Sequence, residues 1–451
     1  MLDGCTPHLP ETIGRHYDRG YYRGAALPQL LAEHARIHTT RTALVHGERR
    51  LTYRELNRGV DRMAAGLTLR GVRAGDRVIV QLPNVPEFVI AVYALMRAGA
   101  FPVPAPTSLR ADEIGHLAQV TEAAAYVGPG VHHGFDHAKM VSMLSDDHPR
   151  LRRAFTLDGP DGAQGGFSTA PSGCLFFPLN SLDAPRDPDR PYDPNDVAFL
   201  LPSDAAASQL VPRTHNDYAY QTRAAAELIG LGPEDVYLAA LPAATNFAFG
   251  CPGIAGALAV GATVVLVDEP AGTSHAAEAA FRAIETEKVT VTSLTPADAR
   301  LWLDTLPHVP RGQGLSSLRL VQVGGAPLDA DLAARVRSTF HCHVQQVFEM
   351  AEGLLSLTRL TDTDTDTDDA IRHTQGRPLS PDDEIRIIAP DGTDVPTGTP
   401  GQLWTRGPCT PRGYYKAPEE NARAFTSDGF LKSGHIARLT EDGHLVVEDH
   451  A

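Results

Sequence analysis

The sequence predicts an α/β protein that ends in a small β-rich part. Three observations carry this reading. Residues 1–190 alternate helical and strand patterns, and residues 191–343 repeat that alternation after a polar linker. From residue 344 to 451 short strands separated by turn residues take over. Alternating βαβ units argue for a mostly parallel sheet covered by helices, and closely spaced short strands argue for a small β-barrel-like subdomain. The domains expected are therefore 1–190, 191–343 and 344–451.

The elements follow in chain order. Residues 27–38 carry apolar side chains at helical spacing, and Pro28 suits a first helical turn. Residues 42–51 read as a hairpin around Gly47, and residues 53–69 as a helix for which Thr52 suits the N-cap. Residues 77–82 form an apolar strand, residues 86–98 a strong helix, and a second strand begins at Phe101. A Pro- and Asp-rich stretch, 181–196, reads as a linker before the apolar run 197–201. The second α/β pattern holds helices at 217–229, 253–260 and 276–287, with strands at 235–241, 263–267, 289–294 and 318–323. The short strands of the last part are 384–388, 401–405, 429–432 and 445–448. The tract 361–369, TDTDTDTDD, reads as a solvated loop; it lacks the Gly turn and the terminal Glu of a calcium-binding loop.

Composition narrows the function classes. Forty Lys and Arg face 55 Asp and Glu, a formal charge of −15, which weighs against nucleic acid as the main partner. No apolar run reaches the roughly 18–20 residues of a membrane span, and the start lacks the basic and apolar regions of a secretory signal. The five cysteines (Cys5, Cys174, Cys251, Cys342, Cys409) are scattered without a CxxC pair, and the histidines, among them His341, His343, His435, His444 and His450, show no metal-ligand spacing. A cytoplasmic protein without bound metal is expected.

Four segments stand in a recognisable order: Leu210-Val-Pro-Arg-Thr-His-Asn-Asp-Tyr218, Val323-Gly-Gly-Ala-Pro327, Gln345-Gln-Val-Phe-Glu-Met-Ala-Glu-Gly353 and Thr405-Arg-Gly-Pro-Cys-Thr-Pro-Arg-Gly-Tyr-Tyr-Lys416. With them the chain resembles the adenylate-forming superfamily. It is most similar to the stand-alone aryl-acid–AMP ligases of siderophore and nonribosomal peptide pathways, which activate salicylate or 2,3-dihydroxybenzoate. The resemblance implies the large N-terminal domain of that fold. It also implies a chemistry in which ATP and an acid form an acyl-adenylate, whose acyl group passes to the thiol of a carrier protein or of CoA. The sequence ends one residue after His450, so the resemblance implies that the mobile C-terminal domain and its catalytic Lys are absent.

The nucleotide-binding features depart from the family. Its Gly-rich phosphate loop corresponds to Ser203-Asp-Ala-Ala-Ala-Ser-Gln209, which has no Gly, gains Asp204 and places Gln209 at the Lys position. Cradling phosphate depends on backbone N–H groups in conformations that Gly permits. The ribose-binding Asp is replaced by His435, which offers at most one acceptor. Glu352 keeps the position of the magnesium ligand, but with so degraded a phosphate loop no metal or cofactor is expected. Glu349 replaces a family Gly beside the acyl group; it reads as a base, as an amine-binding group, or as a plug in a dead nucleotide site.

The acyl pocket reads as kept. By the resemblance, Asn246 holds the ortho hydroxyl of an aryl acid, and Phe247, Cys251, Gln322, Gly324, Val347 and Leu355 fit the salicylate pattern. Ser293 and Ser356 depart from it, in place of Ala and Asn, and Thr245 replaces a His. An apolar slot with one orienting amide suits a ring; inherited core packing is the bland alternative. Cys251 reads as inert packing rather than a nucleophile, and His215 as structural.

These features predict a diverged homologue that binds a salicylate-like acyl group and acts without ATP on a pre-activated ester, passing the acyl group to an amine or water, with Glu349 or His435 as base. The alternatives are an active salicylate or 2,3-dihydroxybenzoate–AMP ligase with an unusual loop, or a non-catalytic relative that binds a carrier protein or synthetase. The partners expected are an aryl acid or its activated ester and a carrier protein, with no nucleic acid and no membrane.

Overall fold

The computed structural model describes residues 1–157, 167–185, 191–203, 209–270, 272–309, 314–361 and 374–450. Asp204 and nearly all of the TDTDTDTDD tract, both singled out in the sequence, lie outside the described residues. The chain forms two compact units: Met1–Gly4, Gly24–Asn216 and Pro242–Thr245 in the first, and Cys5–Arg23, Asp217–Leu241 and Asn246–Ala451 in the second.

In the first unit the hairpin Thr42–His46/Arg49–Thr52 turns at Gly47, and its last residue starts the helix Tyr53–Leu69. Thr52 caps that helix: its Oγ1 accepts from the Glu55 N–H at 3.2 Å, and the Glu55 carboxylate accepts from the Thr52 N–H at 2.8 Å. This reciprocal arrangement satisfies two of the orphan donors of a helix start. The helix Pro86–Ala98 opens on proline and closes at Gly99, whose φ of 77° suits a left-handed C-terminal residue. It is apolar almost all round, as a helix buried on several sides must be. Its Arg97 reaches back to Asp61 at 2.6 Å and to the Pro28 carbonyl at 3.1 Å, joining three helices. The sheet beside them runs Phe101–Pro104, Arg77–Val80, Ala125–Pro129, Arg153–Leu157, Leu175–Pro178, Ser168–Thr169, parallel except for the last strand. A separate antiparallel pair joins Val197–Pro202 to Leu210–Thr214.

In the second unit five parallel strands lie in the order Thr263–Leu266, Val236–Ala239, Val291–Leu294, Leu320–Val323, His343–Glu349. Two antiparallel strands, Leu355–Leu357 and Arg377–Pro378, continue the sheet beyond His343–Glu349. The final part is an antiparallel sheet of four strands in sequence order, Glu384–Ile388, Gly401–Arg406, Leu431–Leu439 and Leu445–His450. The third of these is longer than the expected 429–432. Its register shifts opposite Gln402/Trp404, and the run Lys-Ser-Gly-His hides the alternation that would mark a strand. Among the described residues no helix is long and apolar enough to cross a membrane.

Candidate functional site

The predicted acyl-pocket residues converge in the second unit, between the five-residue helix Asn246–Gly250 and the strand His343–Glu349. Asn246 is buried, and its carboxamide is held on every side. Its Oδ1 accepts from the Tyr218 hydroxyl at 3.2 Å and from Gln221 Nε2 at 3.4 Å. Its Nδ2 donates to Glu349 Oε2 at 2.5 Å and lies 3.5 Å from the Met350 carbonyl and 3.7 Å from Cys251 Sγ. Gln221 also donates to the Gly250 carbonyl at 3.0 Å. Tyr218 gets this close because residue 250 is Gly: a Cβ there would stand 2.1 Å from the Tyr218 oxygen.

The walls beside this amide are apolar. Phe247, Cys251, Val347 and Leu355 belong to one buried cluster with Ala225, Leu241, Ala248, Leu357 and Leu379. Gly324 is shaped to the Phe247 ring, since a Cβ at 324 would meet that ring at 3.0 Å and the Val347 carbonyl at 2.7 Å. Cys251 is fully buried against Asn246 and Gln221.

Gln322 belongs to a polar row that crosses four parallel strands. The Tyr237 hydroxyl donates to Ser293 Oγ at 3.1 Å, and Ser293 donates to Gln322 Oε1 at 3.2 Å. Gln322 Nε2 then donates to Gln345 Oε1 at 2.9 Å, and Gln345 Nε2 to the Thr358 carbonyl at 2.7 Å. Burial pushes the Tyr237 hydroxyl upward from its ordinary range, so it stays protonated as the first donor. The row accounts for Ser293, which departs from the family pattern: Ala there would break it. Ser356, the other departure, donates to the Gln375 carbonyl at 3.0 Å.

The two expected bases, Glu349 and His435, contact different groups. Successive side chains on a strand point to opposite faces. Glu349 meets Asn246, whereas its neighbour Phe348 meets the His435 ring edge-on at 5.2 Å and 83°. Glu349 and the Phe348–His435 contact thus lie on opposite faces of the strand His343–Glu349. Glu352 is buried and accepts from the Tyr414 hydroxyl at 3.1 Å. A carboxylate is the kind of oxygen ligand that a hard cation such as magnesium takes, so Glu352 is the residue here that could hold one.

The remaining nucleotide-site residues are in the first unit. The Ser203 N–H donates to the Gln209 carbonyl at 2.9 Å, one step beyond the Pro202–Leu210 pair, so the two residues close the base of the substituted loop. His215 is buried, with its Nδ1 3.4 Å from the Leu27 N–H; burial lowers its pKa from 6.5 to about 4. Sequence reasoning did not single out Tyr218, Gln221, Tyr237 or Gln345. For Gln221 a signal existed, since it lies three residues after Tyr218 on the helix His215–Leu228 and shares its face.

The sequence pattern of the AMP-binding enzyme family matches residues 31–415. The chain is 41% identical over 453 residues to the 2,3-dihydroxybenzoate-AMP ligase of Bacillus subtilis, spanning 100% of this chain and 80% of that one. It is 41% identical over 456 residues to the salicyl-AMP ligase / salicyl-S-ArCP synthetase of Mycobacterium tuberculosis, spanning 99% and 76%. Among solved structures, the apo structure of Mycobacterium smegmatis MbtA is similar with a TM-score of 0.87 and 41% identity, over 99% of this chain and 80% of that one.

Proposed function

The chain belongs to the AMP-binding enzyme family, and from that premise we propose that it activates an aromatic carboxylic acid as an acyl-adenylate for transfer to the thiol of a carrier protein. One observation of the site carries the reading: a buried amide, Asn246, oriented by Tyr218 and Gln221, stands against an apolar wall of Phe247, Cys251 and Val347. Such a wall with one fixed polar group is how a protein orients a flat ring. The 41% identity to two aryl-acid–AMP ligases across the whole chain supports this reading above the ATP-independent one. In this reaction an acid carboxylate oxygen attacks the α-phosphorus of ATP and pyrophosphate leaves. This chain contributes the acid slot and, at Glu352, a carboxylate for the magnesium of the nucleotide. An active site in the cytoplasm goes with this proposal.

The test is ATP–pyrophosphate exchange with a series of substituted benzoic acids. Acid-dependent exchange is expected. A second reading, acyl transfer from a pre-activated ester without ATP, is favoured by one observation, the Glu349 carboxylate set beside Asn246 where the family has Gly. No exchange, together with turnover of an aryl thioester in the absence of ATP, would decide for that second reading.

A further inference from the structure

We propose that a cavity in the second unit, between the helix Pro10–Asp18 and the last sheet, binds the phosphate group of a small organic phosphate. The cavity shares no residue with the acid slot, so the inference stands whatever acid that slot takes.

The cavity holds about 490 Å³, within the range of pockets that take small organic ligands. One wall comes from residues 8–19, and the other runs through Arg406, Thr410 and Arg412. Four arginines and four acids line it, and they are not equally engaged. Arg19 pairs with Asp382 at 3.3 Å, and Arg406 with Glu384 at 2.7 Å and with Asp428 at 3.9 Å. Three of the acids are thus already held, and the fourth, Glu11, is exposed to water, which screens its charge. Among the described residues Arg15 and Arg412 have neither an ion pair nor a hydrogen bond. A guanidinium stays charged at any working pH and carries five N–H donors. Arg412 is half-buried, so its donors are partly withdrawn from water.

Thr410 is a second, independent sign of a ligand. It is 5% exposed, and among the described residues its hydroxyl has no hydrogen-bond partner. Buried polar side chains are normally hydrogen-bonded, so an unmet hydroxyl on the wall of a cavity fits a group from outside the chain. The helix adds donors of the same kind. Leu9 at its cap offers no side-chain acceptor to the first N–H groups, and the helix dipole places partial positive charge there. Together these groups select an anion rich in acceptors. A carboxylate offers one charge and two oxygens, whereas a phosphate monoester offers close to two charges and three oxygens. The planar guanidinium fork matches phosphate oxygens in pairs. The cavity exceeds the size of phosphate alone, and Thr12 and Ser427 on its walls suit a polar organic body.

The experiment is calorimetric titration of the full chain, at fixed ionic strength and without magnesium, with inorganic phosphate, ribose 5-phosphate and acetate. It is repeated for Arg412→Gln, Arg15→Gln and Thr410→Val. A hydrogen bond to a charged group corresponds to about 10- to 100-fold in affinity. Both phosphates are expected to bind about 10-fold or more tighter than acetate, ribose 5-phosphate the tighter of the two. Arg412→Gln should weaken both by about 10-fold or more, with smaller losses in Arg15→Gln and Thr410→Val. Thermal melting of each variant separates loss of fold from loss of binding. Silence of both phosphates at millimolar concentration, acetate binding as tightly as they do, or phosphate affinity that survives Arg412→Gln in folded protein would overturn the inference. Equal affinity for inorganic phosphate and ribose 5-phosphate would overturn its organic part.

Discussion

Gly324 shows how much one absent side chain decides. Phe247 lies against this position, and a methyl group there would meet the ring at 3.0 Å and the Val347 carbonyl at 2.7 Å. The ring can give way, but a backbone carbonyl in a sheet cannot shift cheaply. Gly324→Ala is therefore expected to cost about 1–3 kcal/mol of stability and to weaken acid binding by displacing Phe247. Chemical denaturation and acid titration on the same variant check both. Unchanged affinity with unchanged stability would place Phe247 outside the slot. At this scale the sequence was readable by type and not by contact. Asn246, Phe247 and Cys251 stand close together in the chain, and the structure packs them together. The bond from Asn246 to Glu349 spans 103 positions, and nothing local to either residue announces it.

Among elements, the row from Tyr237 to Thr358 is the feature with the clearest energetic consequence. Gln322 and Gln345 are fully buried, and each carries a hydrogen-bonding demand that the other meets. Gln345→Leu removes a donor and an acceptor together, leaving the amide of Gln322 and the Thr358 carbonyl without that partner. An unmet buried polar group costs about 1–3 kcal/mol, so a loss of that order is expected in the urea midpoint of Gln345→Leu. A neutral result would mean that water reaches the row. Elements with punctuation were legible: Pro28 and Thr52 mark the starts of their helices in the sequence. The helix Asn246–Gly250 was not, because five residues make too few turns to show a period. The row itself was invisible because a glutamine in a buried strand looks like a surface position until its partner on the next strand is known.

Over the whole molecule, acid is the predicted weakness. Burial first of all holds His16, His137 and His215 each near a pKa of about 4, against 6.5 when exposed. Between pH 6.5 and 4 the unfolded chain takes up protons that the folded chain refuses. The stability these groups contribute is complete above pH 6.5 and is lost as pH falls toward 4. Each can remove up to about 1.4 kcal/mol per pH unit in that window. A melting temperature that stays level from pH 7.5 to 5 would contradict this. Fold class was legible at this scale because βαβ alternation is a property of long stretches. The division into two units was not, since Cys5–Arg23 belongs with residues more than 200 positions away. The polar row also has a meaning for how the chain finds its topology. Every hydrogen points the same way along it, from a hydroxyl that opens the series to a main-chain oxygen that can only receive. A strand slid by one residue turns its amide to the opposite face of the sheet and breaks the sequence of donors at that point. The row thus ties the register of these strands to a chemical demand, because a slipped strand leaves buried polar groups unmet.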